Sequence, residues 1–134
     1  YTMREGKDIC FIGTGPVLGL ALKAADELKT MGISARVENF HTVKPMDTER
    51  LDEIAETISC IVVIEEHGKI GGLYSAVADW YGSQSTTRLY LHSIGSKDEF
   101  LHKIGSQNFA RQHYGITVEH IIEIAKSECG VKRC

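Results

Sequence analysis

Two short runs of this sequence, Ile9-Cys10-Phe11-Ile12 and Cys60-Ile61-Val62-Val63-Ile64, are apolar at every position. A strand with one wetted face alternates polar and apolar side chains. An unbroken run of this length therefore describes a strand buried on both faces, as in a parallel sheet covered by helices. The first run ends in Gly13-Thr14-Gly15-Pro16 and the second in Glu65-Glu66-His67-Gly68, and each turn opens a stretch of helical period. This switching between the two periods limits the chain to an α/β architecture.

The remaining elements follow the same rhythm. Val17, Ala21, Ala24, Ala25, Leu28 and Met31 recur at helical spacing, with Pro16 suited to the helix start and Gly32 to its end. A second strand is expected over about Ala35 to Phe40, followed by a proline-fixed loop, His41-Thr42-Val43-Lys44-Pro45-Met46. Asp47 can cap a helix in which Leu51, Ile54, Ala55 and Ile58 share a face. After the strand at Cys60–Glu65, the loop 66–72 leads into a helix presenting Leu73, Ala76, Val77, Trp80 and Tyr81. Arg88 to Ile94 reads as a further strand, and Thr117 caps a last helix with Val118, Ile121, Ile122 and Ala125 on one face. The stretch between Gly95 and Gly115 has no clear period, and the tail from Gly130 is expected to fray.

At 134 residues the chain fits one domain, 1–134, with hydrophobic residues at 43% and charged residues at 25%, ordinary values for a globular core. The net charge of −3 has no basic block behind it, which speaks against a nucleic-acid partner. No apolar run approaches the ~20 residues of a membrane helix, so no membrane partner and a cytoplasmic location are expected. The four cysteines form no CxxC pair, and Cys10 and Cys60 are expected as small core residues. A chain starting on Tyr1 is expected to be processed or to be a piece of something longer.

In an open parallel sheet, ligands bind at the carboxyl ends of the strands. Gly13, Thr14 and Gly15 form a candidate anion-binding turn there. A full dinucleotide fingerprint fails, because Leu18 stands where the third glycine belongs and Gly19 comes one residue late. The same glycines also read as a plain strand-to-helix turn. Glu65, Glu66 and His67, followed by Gly71 and Gly72, place acids and an imidazole just past a buried strand, a pairing able to move protons. Adjacent acids on a strand point to opposite faces, so at most one of the two shares a site with His67. His41 ends the second strand near the same edge. No metal-ligand spacing, nucleophile elbow or phosphate-binding lysine motif occurs.

The order of segments resembles the C-terminal domain of transketolase-like, thiamine diphosphate-dependent enzymes. The resemblance is carried by Arg4-Glu5-Gly6-Lys7-Asp8, by Val37 to Asp47, by Val63-Ile64-Glu65-Glu66-His67 with Ile70-Gly71-Gly72-Leu73-Tyr74-Ser75-Ala76-Val77-Ala78, by Phe100 to Arg111, and by Tyr114 to Ile121. It implies a three-layer α/β/α sandwich with a mostly parallel five-stranded sheet whose one edge strand runs antiparallel. It implies His41, Lys44, Pro45, Asp47, Glu65, Glu66, His67, Gly71 and Gly72 as loop and interface positions, with no catalytic, cofactor-binding or metal-binding residue in this chain. Thiamine diphosphate and Mg²⁺ would be held by other domains or a companion subunit, in a homodimer or heterotetramer of pentose phosphate metabolism. By itself this domain would be inactive. The parent reaction would be transfer of a two-carbon ketol unit between sugar phosphates. A deoxyxylulose phosphate synthase and an oxo-acid dehydrogenase share this domain type. Two readings stand apart from the resemblance: a free-standing module binding a nucleotide or other anion at Gly13 to Gly19, and a small hydrolase or isomerase using Glu66 and His67.

Overall fold

A computed structural model describes residues 2–40, 47–65, 72–83, 89–95 and 117–128. Five strands form one sheet in the order β1-β3-β2-β4-β5: β1 (Thr2–Arg4), β2 (Ile9–Gly13), β3 (Ala35–Asn39), β4 (Cys60–Glu65) and β5 (Tyr90–Gly95). Strands β2 to β5 are mutually parallel, and β1 is antiparallel to β3 at one edge. The expected mostly parallel sheet with an antiparallel edge strand is therefore present. The residue pattern located β2 to β5, with β5 displaced from Arg88–Ile94 to Tyr90–Gly95, and gave no strand ahead of Asp8.

Helices α1 (Val17–Thr30), α2 (Thr48–Thr57), α3 (Leu73–Gly82) and α4 (Val118–Glu128) cover the sheet. Side-chain alternation along the strands assigns each helix to a face. Ile9, Phe11, Val62 and Ile64 pack with Leu28 of α1 and Ile121 and Ala125 of α4. Cys10, Ile12, Ile61 and Val63 pack with Leu51 and Ile54 of α2 and Leu73, Val77 and Trp80 of α3. Two apolar layers on one sheet make the three-layer sandwich. Three buried alanines on α1, Ala21, Ala24 and Ala25, leave room for it to lie close to the sheet and to α4.

The termini obey local chemistry. Asp47 Oδ1 accepts from the Arg50 N–H at 3.0 Å, and Thr117 Oγ1 accepts from the His120 N–H at 3.0 Å, each capping the helix it precedes. α1 closes on Gly32 at φ +83°, with Gly32 N–H bonded to Lys29 O and Ile33 N–H to Leu28 O. That left-handed glycine and paired bonds are a Schellman closure. Gly6 serves a different need. A Cβ there would stand 2.3 Å from the Ala35 carbonyl carbon, so the turn from β1 to β2 can lie against β3 only without a side chain.

Both described cysteines are buried, as expected for core residues. Cys10 is free, whereas Cys60 is disulfide-bonded. Its partner lies outside the described residues. Sequence spacing carries no sign of this bridge, because four scattered cysteines have no framework pattern.

Candidate functional site

The parallel strands end level with one another at a single edge, with Gly13 opposite Asn39 and Ile64, and Glu65 opposite Gly95. This carboxyl edge gathers the described candidate residues. Gly13, Thr14 and Gly15 follow β2, Asp47 opens α2 after β3, and Glu65 and Gly72 bracket the connection from β4 to α3. His41, Lys44, Pro45, Glu66, His67 and Gly71 lie outside the described residues, as do the expected segments Phe100 to Arg111 and Tyr114 to Ile116.

The β2–α1 turn is tight. A Cβ on Gly13 would stand 3.1 Å from Ile64 O and 3.2 Å from Val17 Cγ2, and Gly15 adopts φ +75°. Gly13 O accepts from the Phe40 N–H at 3.0 Å, tying the ends of β2 and β3 together. At the start of α1, the Leu18 and Gly19 N–H groups bond to the carbonyls of Gly15 and Pro16 at 3.1 Å each. Two N–H donors of the first turn of α1 are thus engaged within it. Pro16 contributes none.

Glu65 has a defined task. Its carboxylate accepts from the backbone N–H of Leu73 at 2.6 Å through Oε2 and of Tyr74 at 3.1 Å through Oε1. Gly72, at the cap position of α3, has no side chain to do this. A residue eight positions earlier, at the end of the buried strand, therefore caps the helix and places a negative charge at its positive end. The two ends of segment 66–72 are thereby joined. With its oxygens so committed, Glu65 ties the end of β4 to the start of α3.

A fully buried acid lies near the end of β3. Glu38 is fully buried on the α2–α3 side, where Oε2 accepts from Arg36 Nε and from the Thr2 hydroxyl, both at 2.6 Å. Arg50, in the first turn of α2, reaches toward Oε1 with Nε at 3.8 Å and donates to Thr2 Oγ1 at 3.4 Å. Burial works against the Arg36 charge, but the hydrogen bond to Glu38 and its negative charge outweigh it, so the guanidinium holds its proton more tightly than usual. This cluster joins β1, β3 and α2. From sequence alone Glu38 has no role of its own. Its position inside a strand, two residues after Arg36, was the available signal for pairing along one strand face.

Among the described residues, no group of three or more His, Cys, Asp or Glu side chains could hold a metal ion. The burial that surrounds Cys10 pushes its thiol pKa well up, followed by the effect of the nearby Glu38 charge, which makes it a poor nucleophile.

Residues 1–121 match the family described as the transketolase, C-terminal domain. The chain belongs to the transketolase C-terminal domain family. A 1-deoxy-D-xylulose-5-phosphate synthase of Desulfitobacterium hafniense is 34% identical over 124 residues, covering 92% of this chain and 19% of that protein. The 6-deoxy-6-sulfo-D-fructose transketolase subunit SqwH of a Clostridium species is 36% identical over 123 residues, covering 92% of this chain and 37% of that one. A solved structure described as a split gene transketolase, inactive beta4 tetramer, superposes with a TM-score of 0.84 at 31% identity, over 95% of this chain and 41% of its own. The chain thus spans about a fifth of the synthase and well under half of either transketolase relative. Of the segment singled out in the sequence, Glu65 and Gly72 are described, and Glu65 makes the capping bonds to α3.

Proposed function

We propose that this chain is the C-terminal module of a transketolase-type enzyme that moves a two-carbon ketol unit between sugar phosphates with thiamine diphosphate. The observation that carries the reading is the match to the transketolase C-terminal domain over residues 1–121, with a sulfosugar transketolase subunit at 36% identity. In this reading the module works by bracing other domains or a companion subunit within a homodimer or heterotetramer. The relatives' greater length and the subunit and split-gene descriptions support that arrangement. Thiamine diphosphate, with Mg²⁺, supplies the carbon chemistry when bound elsewhere in the protein. The contribution of this chain is steric and electrostatic: Glu65 fixes the connection to α3, and the Glu38 cluster fixes the start of α2.

A second reading, a 1-deoxy-D-xylulose-5-phosphate synthase, is favoured by the 34% identity to the Desulfitobacterium protein. Product analysis separates the two. The natural protein is incubated with thiamine diphosphate, Mg²⁺, and matched substrate sets, and the sugar phosphates are identified by mass. A 1-hydroxy ketose phosphate two carbons longer than its aldose phosphate acceptor, formed together with an aldose two carbons shorter than the ketose donor and without release of CO2, is the expected product. Formation of 1-deoxy-D-xylulose 5-phosphate would replace the first reading with the second, and neither product would overturn both.

A further inference from the structure

Cys60 opens β4, is buried, and is disulfide-bonded. The chain holds three other cysteines, Cys10, Cys129 and Cys134, and Cys10 is free. The bridge therefore runs to one of the two cysteines that follow α4 in sequence.

Face and spacing choose between them. Cys60 belongs to the apolar layer that contains α1 and α4, whereas its neighbour Ile61 belongs to the opposite layer. Its side chain thus stands on the side of the sheet that α4 covers. Along α4, Ile121 and Ala125 are fully buried in that layer, one helical turn apart. Cys129 follows Ala125 by the same four-residue step, so helical spacing continues the sheet-facing stripe at that position. On the same spacing Cys134 falls about 140° away around the helix axis.

α4 also has a use for such a tie. Among the described residues its polar contacts stay within the helix and its cap. The His120 N–H donates to Thr117 Oγ1, the Ile121 N–H to Thr117 O and Ser127 Oγ to Ile124 O, and His120 lies beside Glu123. The helix is attached to the sheet by the apolar side chains of Ile121, Ile122 and Ala125. A helix held by packing alone opens locally with little cost, and a covalent bond at its end suppresses that opening.

We propose that Cys60 and Cys129 form a reversible redox clamp that fixes the end of α4 to the start of β4. The clamp closes by exchange with a small disulfide such as glutathione disulfide. The two cysteine thiols lose two hydrogens, the S–S bond forms, and the oxidant leaves as two thiols. A small dithiol reverses the step and itself becomes a cyclic disulfide. The proposal is independent of the reaction the whole protein catalyses.

The test uses the natural full-length protein, equilibrated with glutathione disulfide and then denatured in N-ethylmaleimide. Trypsin separates the relevant cysteines: it cuts after Arg50 and Lys69 around Cys60, after Lys126 and Lys132 around Cys129, and after Arg133 ahead of Cys134. Mass spectrometry is expected to find peptide 51–69 joined to peptide 127–132, with Cys10 and Cys134 alkylated. Joining of 51–69 to the peptide that follows Arg133, or alkylation of Cys60, would overturn the pairing. Hydrogen exchange reads the clamp itself. After dithiothreitol, residues 118–128 should exchange at least tenfold faster while residues 9–13 change less than twofold, and glutathione disulfide should restore the slow rate. Cys129→Ser should exchange at the fast rate with or without reductant, and Cys134→Ser should behave as wild type. Equal exchange of α4 in the oxidised and reduced wild-type protein would overturn the clamp.

Discussion

Single side chains do much of the shaping at the carboxyl edge, and their roles can be measured. Replacing Glu65 with Ala removes the acceptor for two N–H groups of α3, and the loss should resemble that of a helix cap, about 1–2 kcal/mol in urea unfolding. Glu65→Gln keeps one acceptor oxygen and should lose less; equal stability of wild type and Glu65→Ala would show that the cap does not matter. Glu38→Ala leaves Arg36 and Arg50 without their common carboxylate. Breaking such a buried pair costs about 3 kcal/mol, the lower end of the usual range, since the two arginines keep 15% and 31% of their side-chain surface in water. A loss below about 1 kcal/mol would indicate that water replaces the carboxylate easily. Neither role could be read fully from sequence. Glu65 was legible as a strand-end acid, but its partners are backbone groups on another element. Glu38 has partners 36 residues upstream and 12 downstream in Thr2 and Arg50, and such pairings have no local pattern.

Elements were more legible than contacts. The caps at Asp47 and Thr117 and the closure at Gly32 follow from rules that act within a few residues, and each appears in the structure. β1 is three residues long, too short for any period, and only the family resemblance implied it. Its attachment depends on Gly6. The Gly6→Ala variant, whose Cβ would meet the Ala35 backbone, should release β1 and destabilise the protein by about 1–3 kcal/mol. Hydrogen exchange would show faster exchange in residues 2–4 and 35–39; unchanged protection would contradict this packing. On the opposite layer, Ile121→Ala opens a cavity between α4 and the sheet and should cost about 2–5 kcal/mol by thermal or urea unfolding. The lone tryptophan, Trp80, donates to Asp52 Oδ1 at 2.9 Å and couples α3 to α2, so its fluorescence reports on the other layer. Coincident fluorescence and circular dichroism transitions in Ile121→Ala would show that both layers unfold as one unit.

At the scale of the molecule, continuous apolar strands separated by amphipathic helices were enough to specify a covered parallel sheet, because only that arrangement buries both faces of β2 and β4. Function was less legible because the described residues converge on holding connections in place. Glu65 and Glu38 use their charge on helix ends and arginines. Under the proposed function, this module braces other parts of the protein and the cofactor is held elsewhere. Calorimetric titration of thiamine diphosphate with Mg²⁺ tests it most directly, against residues 1–134 shown by circular dichroism to be folded and against the natural protein. Saturable binding to the natural protein and no binding heat from residues 1–134, even at millimolar cofactor, are expected. Tight, saturable binding by residues 1–134 would contradict the claim.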